Sequence, residues 1–200
     1  MHRKQILKLL SDYLPSLEEI ESKERIIRFI EENENCFERS LECGHITASS
    51  WLLNRTKTKA LMMHHAKLGK WVQLGGHCDG NPDVLAVAIK EAQEESGIAQ
   101  IAPLFEAIFD IEIYFNPENH KEKAHYHYDI RFLLQATEDD RITSNSESKE
   151  LRWIGQDIKS LPTQHPSILR MFHKWLRRDE EDPVGLRNAE QVSAQRTGRG

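Results

Sequence analysis

Apolar and polar positions divide the chain into a helical opening, a strand-rich middle and a polar end. Ile6, Leu9, Leu10 and Tyr13 recur at helical spacing until Pro15 interrupts them, and Leu17, Ile20, Ile27 and Ile30 form a second stripe. Glu18, Glu19, Glu21, Glu24, Glu31 and Glu32 surround that second stripe. With no glycine turn leading into the segment, these acids are expected to be solvated surface. From Gly44 the pattern shortens to β-rich runs, predicting strands over 46–53, 60–65, 71–74, 111–115 and 124–136, with turns such as Asn116-Pro117-Glu118-Asn119 between them. Residues 167–176 predict a closing helix, and from Arg177 onward the charged and polar composition predicts disorder. The expected organisation is a helical cap or interface element over 1–42, a main domain over 43–176 and a disordered tail over 177–200.

One segment breaks this alternation with chemistry. Gly75-Gly76-His77-Cys78-Asp79-Gly80 reads as a glycine turn, after which Asn81 suits a helix cap, Pro82 the first helical position and Asp83 the first turn. Gly97 suits a left-handed stop, with Ile98 placed for the contact that follows one. Leu85, Ala88, Ile89 and Ala92 form the buried stripe of the helix between them. At about 100° per residue, Glu91, Glu94 and Glu95 fall within an arc of roughly 100° beside that stripe, Glu95 nearest its edge. Such carboxylates repel by about 0.2–0.5 kcal/mol per pair, and Lys90 is the local offset. A bound cation would remove the repulsion, and oxygen-only ligands suit Mg²⁺ or Mn²⁺ where zinc would favour His and Cys. Acidic helix faces are usually just solvated; the flanking glycines favour the metal.

With both glycine ends included, the segment resembles the signature of the Nudix hydrolase superfamily (MutT-like), G-x5-E-x7-R-E-U-x-E-E-x-G-U, where U is bulky and apolar. The opening glycine is Gly76, and Glu91-Ala92-Gln93-Glu94-Glu95-Ser96-Gly97-Ile98 follows the pattern, with Ala92 small for its slot. Pro82 stands where the pattern has its first glutamate and Lys90 where it has arginine, departures that bear on helix geometry; Asp79 and Asp83 are the nearest substitutes for the glutamate. Trp71-Val72-Gln73-Leu74-Gly75-Gly76 is similar to the family's entry into the motif, and Glu150-Leu151-Arg152-Trp153 to its closing strand, so the resemblance spans 44–176. It implies a Nudix-type α/β/α sandwich with a mixed sheet, here preceded by helices. It implies Mg²⁺ held by Glu91, Glu94, Glu95 and the Gly75 carbonyl, with Glu91 or Glu94 as base and Lys90 orienting a glutamate or meeting phosphate. Glu147 and Glu150 are the candidates for a base supplied by a distant loop. The implied reaction is hydrolysis of a diphosphate linkage in a nucleoside diphosphate derivative, with Gly76 at the substrate, and a homodimer is compatible with the family. Two other readings stay open: a degenerate domain that senses a nucleotide or binds a protein, and an isopentenyl diphosphate isomerase using His77 and Cys78.

Ten histidines are the second theme of the sequence. In 125–129 the period of two places His125, His127 and Asp129 on one strand face, opposite Tyr126 and Tyr128, where they either bind a substrate phosphate or second metal or form the solvent side of an amphipathic strand. Lys67 and Lys70 lie in a turn, to guide an anionic substrate or as a plain basic loop. The net charge of −5 disfavours general nucleic-acid binding. Three cysteines without a C-x-x-C pair argue against a disulfide framework or zinc ribbon. No apolar run approaches the ~18 residues that span a bilayer, and the amino terminus shows no signal-peptide core, so the expected compartment is the cytoplasm.

Overall fold

Pro15 separates two amphipathic segments, and in the computed structural model each becomes a helix: α1 (Lys4–Asp12) and α2 (Ile20–Glu32). The structure describes residues 2–118 and 123–181. Asn119 of the expected turn, and residues 182–200 of the expected disordered tail, lie outside the described residues, whereas 177–181 are not disordered but continue the closing helix, which runs over Pro166–Glu181. The chain forms two compact units, Met1–Thr163 and Gln164–Gly200.

In the first unit, α1 buries Ile6 and Leu10 and α2 buries Ile26, Phe29 and Ile30. This corrects the second apolar stripe, because Leu17 is 89% exposed and Ile20 44%. A 3₁₀ turn over Leu17–Glu19 precedes α2, and its tighter winding puts these two residues out of phase with the helix. Glu19 is likewise not surface. Its buried carboxylate accepts from the Ser16 N–H (2.9 Å), which makes a capping box, and from Tyr13 Oη (2.6 Å), Ser16 Oγ (2.7 Å) and the Ile111 N–H (3.3 Å), the last tying the helix pair to a strand.

The strands are β1 (Gly44–Leu53), β2 (Ala60–His65), β3 (Trp71–Val72), β4 (Leu74–His77), β5 (Ile101–Pro103), β6 (Asp110–Asn116), β7 (His125–Ala136) and β8 (Ser148–Ile154). They make one mixed sheet in which β3, β2, β1, β7 and β5 run in order, while β4 pairs with β1, β6 with β7 and β8 with β2. β1 and β7 are parallel and paired over ten consecutive positions; the other pairings are antiparallel. The predicted 71–74 strand divides into β3 and β4, which pair with different partners, and the short β5 was not foreseen.

Alternation along β1 and β7 gives the sheet two unlike faces. Ile46, Ala48 and Leu52, with Tyr128, Ile130, Phe132 and Leu134, join the core formed with α1, α2 and α3 (Val84–Ser96), and Phe29 stacks on Tyr128 with centroids 3.9 Å apart. The other face carries His45, Thr47 and Ser49 from β1 and His125, His127, Asp129 and Arg131 from β7, all buried. In the second unit, α4 (Pro166–Glu181) buries Ile168, Met171, Phe172 and Trp175, one helical stripe. Among the described residues, no helix is long and apolar enough to cross a membrane.

The Glu19 cap is open to a direct test. Glu19→Ala removes the acceptor of four buried or half-buried donors and should cost roughly 2–3 kcal/mol in urea denaturation, whereas Leu17→Ala should change stability by less than about 0.5 kcal/mol. Equal effects would show that the carboxylate does not anchor the helix pair.

Candidate metal and phosphate site

The site begins with two glycines. Gly75 has φ 155°, and a Cβ on it would collide with the Cα and Cβ of Ser49 on the neighbouring β1; a Cβ on Gly76 would collide with the Glu91 carboxylate. Only bare backbone lets β4 approach β1 this closely while α3 lays its acids against the strand.

The helix starts later than the sequence suggests. Asp83 is the cap, accepting from the Ala86 N–H at 3.1 Å, while Asn81 accepts from the Asp83 N–H at 3.0 Å and shapes the turn before it. Gly97 ends the helix at φ 73°, its N–H reaching the Gln93 carbonyl, and Ile98 is buried beyond it. The buried residues are Val84, Val87, Ala88, Ala92, Glu95 and Ser96, with Leu85 and Ile89 only half-buried. The stripe is therefore rotated from its expected position, and Glu95 lies within it rather than at its edge.

Glu95 accepts the Gly75 N–H at 2.8 Å. Burial pushes its carboxyl up to about 8; the Gly75 hydrogen bond pulls the other way, and the charges of Glu91, Glu147 and Glu94 add to the rise. Glu91 is also raised, first by burial, against the pull of Lys90 and with a push from Glu94 and Glu147. Glu94 is exposed and meets Lys90 Nζ at 2.9 Å, and the same ammonium reaches Glu91 at 3.3 Å. Glu147, in the loop before β8, is thus close enough for its charge to be felt at Glu91 and Glu95. Glu150 is instead held by Arg152 at 2.6 Å and 2.8 Å. Asp79 is paired with Arg39, and Asp83 caps the helix, so neither takes the place of the missing first glutamate. Glu91 and Glu95 thus both have raised proton affinity, and the Lys90 ammonium offsets Glu91 and Glu94. Lys70 lies exposed in the β2–β3 turn, whose Ala66 N–H donates to the Glu147 carbonyl at 2.7 Å.

The polar sheet face is a second cluster. His125 and His127 are each 7% exposed, so the solvent-side reading is incorrect. The Lys123 carbonyl, which only accepts, lies 2.7 Å from His125 Nδ1 and fixes the proton there. His125 Nε2 is then the acceptor for His127 Nε2–H at 2.8 Å, and His127 Nδ1 accepts from Tyr114 Oη at 2.8 Å. His45 and His77 converge on the same pair, with ring centroids 4.7 Å and 5.0 Å from that of His127. Burial, reinforced by the neighbouring rings, lowers His77 to about 4 and His127 to about 2, keeping both neutral. Beside them Asp129 accepts from Thr47 (2.9 Å), Ser49 (2.7 Å), Gln73 (3.2 Å) and Arg131 Nε (2.8 Å), while Arg131 also reaches Asp110 at 3.0 Å. His45, Asp110 and Arg131 were not foreseen, although His45, Thr47 and Ser49 alternate at the period of a strand. Cys78 is buried and its thiol is pushed far up by that burial, which holds it neutral.

The NUDIX domain family model matches residues 44–176, which include both clusters and all their named residues but Arg39, and the chain belongs to that family. Its fold class is the Nudix-type α/β/α sandwich with a mixed sheet, preceded by amino-terminal helices. A Caenorhabditis elegans Ap4A hydrolase is similar at 17% identity and TM-score 0.53, over 66% of this chain and 95% of that one. A MutT protein from Methanosarcina mazei Go1 is similar at 16% identity and TM-score 0.51, over 70% of this chain and 97% of that one. A NUDIX-family hydrolase from Clostridium perfringens gives 22% identity and TM-score 0.50, over 66% and 95%. A search of curated proteins finds no match.

The raised carboxyl of Glu95 has a signed consequence. Between the ordinary value of 4.5 and about 8 the folded chain holds a proton there that the unfolded chain releases, so stability of the metal-free protein falls as pH rises across that window. Glu95→Gln keeps an oxygen for the Gly75 N–H and removes the charge. In EDTA its Tm should exceed that of wild type by several degrees near pH 8 and by little near pH 5, at about 2–4 °C per kcal/mol for a domain of this size. A pH-independent difference would overturn the assignment. Thiol labelling gives a second check: Cys43 is exposed while Cys36 and Cys78 are buried, so native protein should react rapidly at one cysteine and the other two only on unfolding.

Proposed function

We propose that the protein is a magnesium-dependent hydrolase that cleaves a diphosphate linkage in a nucleoside diphosphate derivative. The observation that carries this reading is the seating of Glu95 on the Gly75 N–H and of Glu91 against Gly76, with the charges of Glu94 and Glu147 felt at both. When bound, Mg²⁺ supplies charge neutralisation for a diphosphate and makes a coordinated water more acidic.

The chain contributes position and proton affinity. Glu95, fixed by a backbone donor, holds one anionic oxygen in place at the glycine turn. Glu91 is half-buried with its proton affinity raised, which suits it to accept a proton from an attacking water near neutral pH; Glu94 and Glu147 are the other bases within reach. Lys90 bridges Glu91 and Glu94, keeping the two acids from repelling each other apart. Gly76 lets the Glu91 carboxylate lie directly against the turn where a phosphate chain would bind, and Lys70 offers an exposed ammonium to an approaching anion.

The test is Mg²⁺-dependent turnover across nucleoside triphosphates, nucleotide sugars, ADP-ribose, dinucleoside polyphosphates and coenzyme A derivatives, with the phosphate products identified. Glu95→Gln and Glu91→Gln should lower kcat by about 10²–10⁴-fold without unfolding the protein. Full Mg²⁺-dependent activity in Glu95→Gln would sink the site. Tight binding of a compound without turnover would establish a sensor, and activity abolished by Cys78→Ala alone would point to the isomerase.

A further inference from the structure

Going beyond the carboxylate site, we infer that His45, His77 and His127 form a second metal site, selective for a borderline divalent ion of the zinc type. One ligand nitrogen from each of the three lies within 4.8 Å of the others. Nitrogen ligands at about 2.0–2.1 Å from a tetrahedral ion stand roughly 3.4 Å apart, so binding draws the rings inward by about 1 Å, a movement that side-chain rotation supplies.

Three features of the surroundings favour an ion over a merely packed cluster. First, the imidazoles arrive from three strands, β1, β4 and β7, whose pairing places His45 opposite His127 and Thr47 opposite both His77 and Asp129. Rigid backbone therefore sets their convergence. Second, His77 Nε2 is buried and has no hydrogen-bond partner among the described residues. A buried neutral imidazole nitrogen of this kind has its electron pair available to a metal ion. Third, His127 has an outer partner: when Nε2 gives its electron pair to the metal, the proton moves to Nδ1 and is donated to Tyr114 Oη, 2.8 Å away. A ligating histidine commonly has such a partner, which fixes its tautomer.

His125 stands beside the trio: its Nε2 lies 2.8 Å from His127 Nε2 and is an acceptor because its Nδ1 serves the Lys123 carbonyl. Three histidines with an open fourth position is a ligand set of the catalytic zinc kind, and its all-nitrogen donors discriminate against Mg²⁺. An ion has a way in: a cavity of about 230 Å³, lined by Arg39, Leu41, Glu42, His45, Lys123 and His125, opens onto the cluster. Its two cations are offset, Arg39 by Asp79 and Lys123 by Glu42 at 2.7 Å, so the entrance does not repel a divalent ion.

The experiment uses untagged, chelator-stripped full-length protein titrated with Zn²⁺ by calorimetry and with Co²⁺ by visible absorption, in millimolar Mg²⁺ to occupy the carboxylate site. The expected result is one equivalent of Zn²⁺, intense Co²⁺ bands of low coordination number, and a raised Tm. His77→Asn, at the half-buried ligand, should weaken Zn²⁺ binding by roughly a hundredfold or more, and Tyr114→Phe by about 10–100-fold. Glu95→Gln and the His64→Gln/His65→Gln double variant should bind as wild type. Absence of stoichiometric binding, binding unchanged in folded His77→Asn, or binding lost in Glu95→Gln would each overturn the site. Because the readout is metal content and not turnover, the result is separable from that of the hydrolase test.

Discussion

The contact on which the candidate site depends is the one between the Glu95 carboxylate and the Gly75 backbone. A glutamate within the buried stripe of a helix carries a desolvation penalty, and here a backbone N–H with no side chain in the way offsets part of it. That bond also sets the rotation of α3 about its axis. With Glu95 turned inward, Glu91 falls one turn earlier against Gly76 and Glu94 remains at the surface with Lys90. Bulk at either glycine would push the helix away from the strand and scatter the acids.

The same sheet supports two chemistries because its faces differ. One is apolar and carries the helices, while the other buries imidazoles, carboxylates and a guanidinium. Burying Arg131 would be prohibitive alone; Asp129 and Asp110 compensate it directly, and Thr47, Ser49 and Gln73 satisfy the remaining acceptor capacity of Asp129. Hard oxygen donors gather at the β4–α3 turn and nitrogen donors on the strand face. His77 follows Gly75 and Gly76 on the short β4, so one strand serves both groups.

Much of this was legible in the sequence where local signals act. The glycine stop at Gly97, the acidic face of α3 and the extents of β2 and β6 follow from spacing and turn chemistry, and the family resemblance spans the residues that the family match covers. What escaped was set by tertiary context. The 3₁₀ turn at Leu17–Glu19 altered the phase of α2, and Glu19 was buried by partners 6 and 92 residues away. The Asp83 cap displaced Asn81 because Asn81 was engaged in the turn before it. The histidine cluster was half visible: alternation paired His125 with His127, but no local pattern announces that His45 and His77 fold onto the same patch.

The in-register pairing of β1 with β7 also has a cost in time. Gly44 faces Tyr126, roughly eighty residues further along the chain, and the interval holds five strands and a helix. At a synthesis rate of about 5–20 residues per second, β1 waits some 4–16 s for its central partner to be made. During that delay Ile46, Trp51, Leu52 and Leu53 are apolar residues on a strand lacking one neighbour. The antiparallel β4 arrives earlier and covers the opposite edge of β1, so the hairpin-like β1–β4 pair is a natural shelter for a nascent sheet whose longest-range closure comes late.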